Sequence, residues 1–473
     1  MRTLILRSRV LACVSSLLLL SGCSFDLGNS LGLDDSASGG GGTTTSNGGA
    51  GASALAVGDE PFAVKVGASI LTQGGSAADA ATAMYFALSV TYPVAAGLGG
   101  GGICIVRDAA SSRTEEFDFL ARDSGGGGAY AVPGNVRGFA LLQSLYGALP
   151  WQRDIAPGEG YASTGFPISR ALFVRLTGAQ DVIRLDAGLA AEFLDESGVA
   201  KPIGTIVANP DLAATLAAIR TGGPEAFYRG AIGARILAYS SAQGGAIGVP
   251  EFARYQAERT APQAMQLGSQ FVFFPSQHTG AGAFAGALFD TLSRAQETAT
   301  GEGDIQASVV VAVKQALARF AVTNLPPDLG ATGFAATDAR GQAVACAVTM
   351  NGPFGSGHNA QGTGVTLARA PSSGQAGLAA AFVTPVIATD GRDGGLSLIG
   401  AGAGGPNGTA AIGYALARLA RGEAVSRSAD LRSTGVAPYD TINAIVCQSG
   451  ACVALPDPGA NGLGAVGEPP PAQ

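Results

Sequence analysis

Between positions 62 and 73, apolar and small residues recur at Ala63, Val66, Gly67, Ile70 and Leu71. That spacing lays them on one face of a helix, and Gly74-Gly75 stops it. Ser76-x-x-Asp79 has the form of a capping start. The Ala, Met, Phe and Leu that follow to about Val90 predict a helix apolar nearly all round, which belongs inside a layered core. Tyr92-Pro93 ends it, and a strand is predicted over 103–106 after a glycine run at 97–102. A helix is predicted over 307–319. Beyond Pro326-Pro327, two apolar runs joined at Asp338-Ala339-Arg340-Gly341 and ending at Met350 predict strand, tight connection and strand, then a Gly-rich loop. The second half continues with strands over 382–389 and 396–399 around a polar turn, a glycine run at 400–405, and a helix over 409–421.

Both glycine runs match G-x-G-x-x-G. At 97–102 a helix precedes and a strand follows, the reverse of what pyrophosphate binding needs. At 400–405 strand and helix are correctly ordered, but the residues after Arg421 make a poor second strand for a ribose-binding acid to end.

The 473 residues suffice for one large or two ordinary domains with ample core. A net charge of −7 leaves no basic surplus for phosphates and argues against a nucleic-acid partner. At the N-terminus, Arg2, Arg7 and Arg9 precede a short apolar run and then Leu20-Ser21-Gly22-Cys23. This predicts a secretory signal over 1–22, too short for a comfortable membrane span. The ending resembles a bacterial lipoprotein signal, so Cys23 is expected to carry the lipid. Ser24 after it suggests an outer-membrane, periplasm-facing location. Residues 23–55 are expected to be a Gly/Ser-rich tether, and 468–473 a Pro-rich tail. Cys104 and Cys346 lie inside apolar runs and are expected to be buried hydrophobes. Cys447 and Cys452 flank Gln-Ser-Gly-Ala and are expected to form a disulfide across a hairpin tip. With His278 and His358 the two histidines, no metal site and no cofactor are expected.

Several short motifs occur in a family order. They are Gly74-Gly75-Ser76-Ala77-Ala78-Asp79-Ala80-Ala81, the run at 97–102, Ala131-Val132-Pro133-Gly134, Tyr146-Gly147 through Trp151, Gly165-Phe166-Pro167, and Phe227-Tyr228-Arg229-Gly230. Asp338-x-x-Gly341-Gln342-Ala343-Val344, Thr349-x-Asn351 and Phe354-Gly355-Ser356-Gly357 follow. Together, from about 58 to 467, they resemble the gamma-glutamyltranspeptidases, which are N-terminal-nucleophile hydrolases. The resemblance implies an α+β fold, a four-layer αββα sandwich, with a large-subunit-like part over 56–330 and a small-subunit-like part over 331–467.

In that family the chain cuts itself, and the newly exposed Thr performs acyl transfer. Counting back from Asp338 puts Ala331 at the nucleophile position, with Thr332 one residue late. Neighbouring side chains on a strand face opposite ways, so Thr332 would need a bulge, which Gly330 and Gly333 would ease. The connection from Phe320 to Ala331 is shorter than the family's. The resemblance further implies roles for Thr349 and for Gly404-Gly405, the latter as an oxyanion loop at a helix N-terminus. Arg122 and Asn351 are the implied substrate-binding residues. Leu367-Ala368-Arg369-Ala370-Pro371 stands where the family carries acids for an α-amino group, and the family's Ser pair falls near Ala381 and Phe382. Three functions remain open. One is a catalytically degenerate member that binds a peptide or amino-acid derivative. Another is an active γ-glutamyl transferase or hydrolase using Thr332, and the third is an envelope lipoprotein keeping only the fold. The sequence leaves the ligand, partner and oligomeric state undetermined.

Overall fold

The structure, a computed structural model, describes residues 44–45, 53–296, 301–392, 394–432 and 439–467. The expected signal, Cys23 with its expected lipid, and the expected Pro-rich tail lie outside the described residues. Two antiparallel sheets face each other. The first runs, edge to edge, Leu463–Val466, Leu55–Gly58, Ala331–Thr337, Ala343–Thr349, Gly101–Arg107, Thr114–Asp118 and Glu258–Thr260. The second runs Thr44–Thr45, Ala451–Leu455, Thr441–Gln448, Leu396–Ala403, Thr384–Asp390, Gln270–Phe274 and Gln263–Leu267. Thr44–Thr45 thus pairs with Ala454 and Val453, although it falls inside the stretch expected to be an unpaired tether.

Period-two alternation assigns the strand residues to layers. In Ala331–Thr337, Phe334 and Ala336 join the core under the helices Pro61–Thr72 and Ala77–Thr91. Ala335 faces the other way, packing with Ile387, Ile399 and Ile445 of the second sheet. The second sheet's outer face buries Val386, Leu398 and Ile442 against the helices Gly280–Gln296, Glu302–Arg319 and Pro406–Ala420. One core between the sheets and one under each helical layer make the four-layer αββα sandwich.

The Ala77–Thr91 helix is buried along its whole length, as an all-round apolar helix must be. Its start is fixed by a capping box in which Asp79 N donates to Ser76 Oγ at 3.1 Å and Ser76 N donates to Asp79 Oδ2 at 2.8 Å. The helices expected from 307 and 409 begin earlier, at Glu302 and Pro406. Pro fits the first helical turn, and Glu302 and Asp304 suit the positive end of the dipole.

Cys104 and Cys346 are a correction. Both are fully buried, but they occupy directly paired positions on adjacent central strands and are joined as a disulfide. Strand runs that read as apolar gave no sign of which residues stand opposite each other. Cys447 is joined to Cys452 across a hairpin.

Candidate functional site

The Ala331–Thr337 strand enters the sandwich through a tightly held turn. Gly330 has φ +61°, and a Cβ there would lie 2.0 Å from Gly352 O, so no side chain fits. Asp328 Oδ1 accepts from Gly330 N at 2.7 Å. Both Asp328 oxygens also accept from Arg175, at 2.9 and 2.7 Å, in a two-pronged pair almost sealed from solvent. Arg175 Nη1 reaches Ala331 O at 3.4 Å, and its guanidinium lies over the rings of Tyr92 and Tyr439. Burial works against its charge, but Asp328 and its other neighbours outweigh that and hold it protonated.

Gly330 O is the carbonyl of the peptide bond before Ala331, and it accepts from Met350 N at 2.8 Å and from Thr349 Oγ1 at 3.0 Å. Thr349 is directly opposite Ala331 across the ladder, and its hydroxyl also receives Asn351 N at 2.9 Å. Two donors therefore converge on that carbonyl, the arrangement that would steady negative charge on its oxygen. Opposite them stands a methyl group. Ala331 is fully buried, packed with Ile103, Ala281, Ala347, Val383, Ala401 and Ala403 between the sheets.

Thr332 occupies the other face. Its hydroxyl donates to Asp59 Oδ2 at 2.7 Å, where Thr441 Oγ1 donates at 3.0 Å, and Asn443 Nδ2 donates to Asp59 Oδ1 at 2.7 Å. Burial pushes the Asp59 carboxyl up, and these three donors only partly offset it. The pairing of 331–337 with 343–349 is continuous, with no bulge. The shift that would bring Thr332 to the Ala331 side is therefore not made.

The other expected residues divide. Asn351 adjoins Thr349 with φ +56° and sends Nδ2 to Arg369 O at 2.9 Å. Gly404 has φ +87°, and the loop packs so closely on Tyr439 and Asp440 that a Cβ at Gly405 would lie 2.2 Å from Asp440 Oδ1. Asp440 Oδ2 accepts from Asn407 N at 3.0 Å, so the positive end of the Pro406–Ala420 helix is covered by a carboxylate of the chain itself. Burial raises Asp440 to about 6 against the pull of Asn407. Arg122 is engaged elsewhere, pairing with Glu258 at 2.6 Å and stacking over Tyr255.

Sequence reasoning missed Arg175, Asp328, Asp59 and Asp440 as parts of this site. Arg175 lies on an ordinary short helix, Arg170–Gly178, and its partner is 153 positions away, so no local pattern could reveal it.

Comparison with known proteins gives this geometry a context. The family description Gamma-glutamyltranspeptidase matches residues 63–321, more than half of the chain. The chain belongs to the gamma-glutamyltranspeptidase family. Among curated members, glutathione hydrolase 2 of Arabidopsis thaliana is 31% identical over 231 residues, covering 46% of this chain and 40% of that protein. The glutathione hydrolase proenzyme of Escherichia coli K12 is 32% identical over 240 residues, covering 46% and 41%. The chain thus matches about two fifths of the length of these relatives. A cephalosporin acylase structure from Bacillus halodurans shares the fold with a TM-score of 0.69 at 17% identity, over 90% of this chain and 96% of that one. The Helicobacter pylori gamma-glutamyltranspeptidase aligns with a TM-score of 0.51 at 24% identity, over 55% and 81%. The fold is therefore that of the N-terminal-nucleophile gamma-glutamyltranspeptidases and acylases. The matched family region ends before Ala331, so the strand start is placed by its own turn, ladder and loop.

Proposed function

We propose that this chain is a catalytically silent member of the gamma-glutamyltranspeptidase family that binds a peptide or amino-acid derivative. We propose also that it is held at the bacterial envelope, facing the periplasm, by a lipid on Cys23. One observation carries the silence: Ala331 stands at the strand start with its methyl group in an apolar cluster, and the carbonyl before it is already held by Thr349 and Met350. Self-cleavage and acyl transfer both need an attacking oxygen or sulfur at that point. The relatives include proteins named as proenzymes, among them the Escherichia coli glutathione hydrolase and Acylase ACY 1. This chain, on our reading, stays in one piece.

A second reading is favoured by one contact. Thr332 Oγ1 lies 2.7 Å from Asp59 Oδ2, and a carboxylate so placed can take a hydroxyl proton. Thr332 would then cut the chain after Ala331 and act on γ-glutamyl compounds.

A denaturing gel of the purified protein separates the two, and it must contain reductant. Cys104 and Cys346 lie on either side of the Ala331–Thr332 bond and would hold the fragments together. One band at the full mature mass is expected. Two bands, the smaller starting at Thr332 by N-terminal sequencing, would establish the second reading instead.

A further inference from the structure

The two disulfides differ in what can reach them. Cys104 and Cys346 are joined on central strands with neither residue exposed. Cys447 and Cys452 are each half-buried and stand on the wall of a cleft of about 900 Å³. The strand Leu396–Ala403 starts on that wall with Leu396 and ends in the apolar cluster of Ala331, which Ala401 and Ala403 join. The cleft therefore lies at the opposite end of the sandwich from the strand start. Gly341, Gly394, Gly395 and Gly422 also line it, leaving backbone open to an incoming chain. The hairpin that carries the disulfide does not depend on it. Ser449 and Gly450 have φ +52° and +82°, as in a two-residue turn whose twist matches its strands. The ladder pairs Val446–Val453 and Gln448–Ala451 flank the cysteines. Gln448 pins the hairpin from the side: its Oε1 accepts from Val425 N at 3.0 Å and its Nε2 donates to Glu423 O at 2.9 Å. With the S–S bond open, turn, ladder and Gln448 keep the two sulfurs opposed, so closing it again is intramolecular and fast.

We infer that Cys447–Cys452 is a thiol–disulfide exchange site, and that its partner is a peptide segment with two neighbouring thiols that enters the cleft. A thiolate of the segment attacks one sulfur of the pair, the S–S bond breaks, and the other cysteine leaves as a thiolate. The segment's second thiolate then attacks the mixed disulfide. The segment ends as the disulfide, and Cys447 and Cys452 hold its two electrons and the two protons it gave up. The cleft's size selects a peptide over a small thiol, since it is far roomier than one small thiol needs and its glycines expose backbone groups to an extended chain. Cys104–Cys346, sealed from any thiolate, keeps the sandwich closed throughout. The exchange uses neither the strand start nor the ligand of the reading above, and stands independently of both.

The test incubates the purified protein, without denaturant, with a reduced peptide carrying Cys-Gly-Pro-Cys. Iodoacetamide then quenches the reaction, and mass spectrometry maps the label on the four cysteines. Cys447 and Cys452 should take label at least about tenfold faster than Cys104 and Cys346, whose burial denies the thiolate access. Near-UV circular dichroism should show the fold retained, and transfer to oxidised glutathione should restore the link. Reduced glutathione at equal thiol concentration should open the pair several-fold more slowly than the peptide. A substitution tests the cleft itself. A Cβ at Gly395 meets nothing within 4 Å, so Gly395→Phe adds a ring to the wall without a clash. It should slow the peptide several-fold and leave the much smaller dithiothreitol within about twofold of its wild-type rate. The proposal is overturned if Cys447–Cys452 stays linked, if both pairs open together, or if opening it unfolds the protein. It is equally overturned if glutathione matches the peptide, or if Gly395→Phe leaves the peptide rate unchanged or slows both reagents alike.

Discussion

Ala331 and Thr332 are neighbours in sequence and belong to different environments, one between the sheets and one beside a buried carboxyl. Arg175 holds the turn that delivers both. Its charge and that of Asp328 are removed from water together, so the pair is tolerated because each satisfies the other. Arg175→Leu should leave Asp328 buried and unpaired and lower the unfolding free energy by about 3–5 kcal/mol in urea titrations. The double variant Arg175→Leu, Asp328→Leu should recover most of that loss. If the single variant unfolds like wild type, Arg175 does not hold the strand start.

At the scale of elements, the two disulfides invite a direct comparison. Cys104 and Cys346 are 242 positions apart, whereas Cys447 and Cys452 are 5 apart. In the chain-entropy account, closing the long loop restricts the unfolded state far more, by roughly 5 kcal/mol against roughly 2 kcal/mol. Replacing the first pair by Ala should therefore lower the denaturation midpoint markedly, and replacing the second only modestly. Equal losses would show that local hairpin geometry, and not loop closure, sets the effect. The Pro406–Ala420 helix makes a related point. Its glycine-rich entry resembles an anion site in sequence, but Asp440, delivered by the start of a distant strand, already covers it.

For the whole molecule, several carboxyls are carried into the core without an ion-pair partner among the described residues. Burial raises Glu60 and Glu116 to about 7, and burial beside Asp79 raises Asp154 to about 9. Each binds its proton more tightly folded than unfolded, so its stabilising effect is complete below about pH 4 and is lost as pH rises through the folded value. Stability should accordingly fall from about pH 5 to pH 9. Asp154→Asn, which cannot ionise, should flatten the part of that fall between about pH 7 and 9, measured by urea denaturation at fixed ionic strength. An unchanged slope would mean Asp154 is not the titrating group. At the same scale, no helix among the described residues is long and apolar enough to cross a membrane. If Cys23 carries the anchor as we propose, Cys23→Ser should move the protein from the membrane to the soluble fraction. Unaltered membrane partitioning would remove the anchor from our proposal.

Hydrophobic period and turn signals placed the strands Ala331–Thr337, Ala343–Thr349, Gly101–Arg107, Thr384–Asp390 and Leu396–Ala403 and the helices at 61–72, 77–91, 302–319 and 406–420, because burial on one face or on both leaves a direct mark in residue order. They did not place Leu55–Gly58, Thr441–Gln448 or Gly280–Gln296. Turn residues such as Asp338 and Gly341 then located the strand start, and with it Ala331, by counting. The alternation of side chains already put Thr332 on the opposite face. What the tertiary structure alone decided are meetings between distant residues: Arg175 with Asp328, Asp59 with Thr332 and Asn443, Cys104 with Cys346, and Asp440 with the Pro406–Ala420 helix. Each joins groups from separate elements, and sheet order and register, which bring them together, depend on long-range packing that no local pattern records.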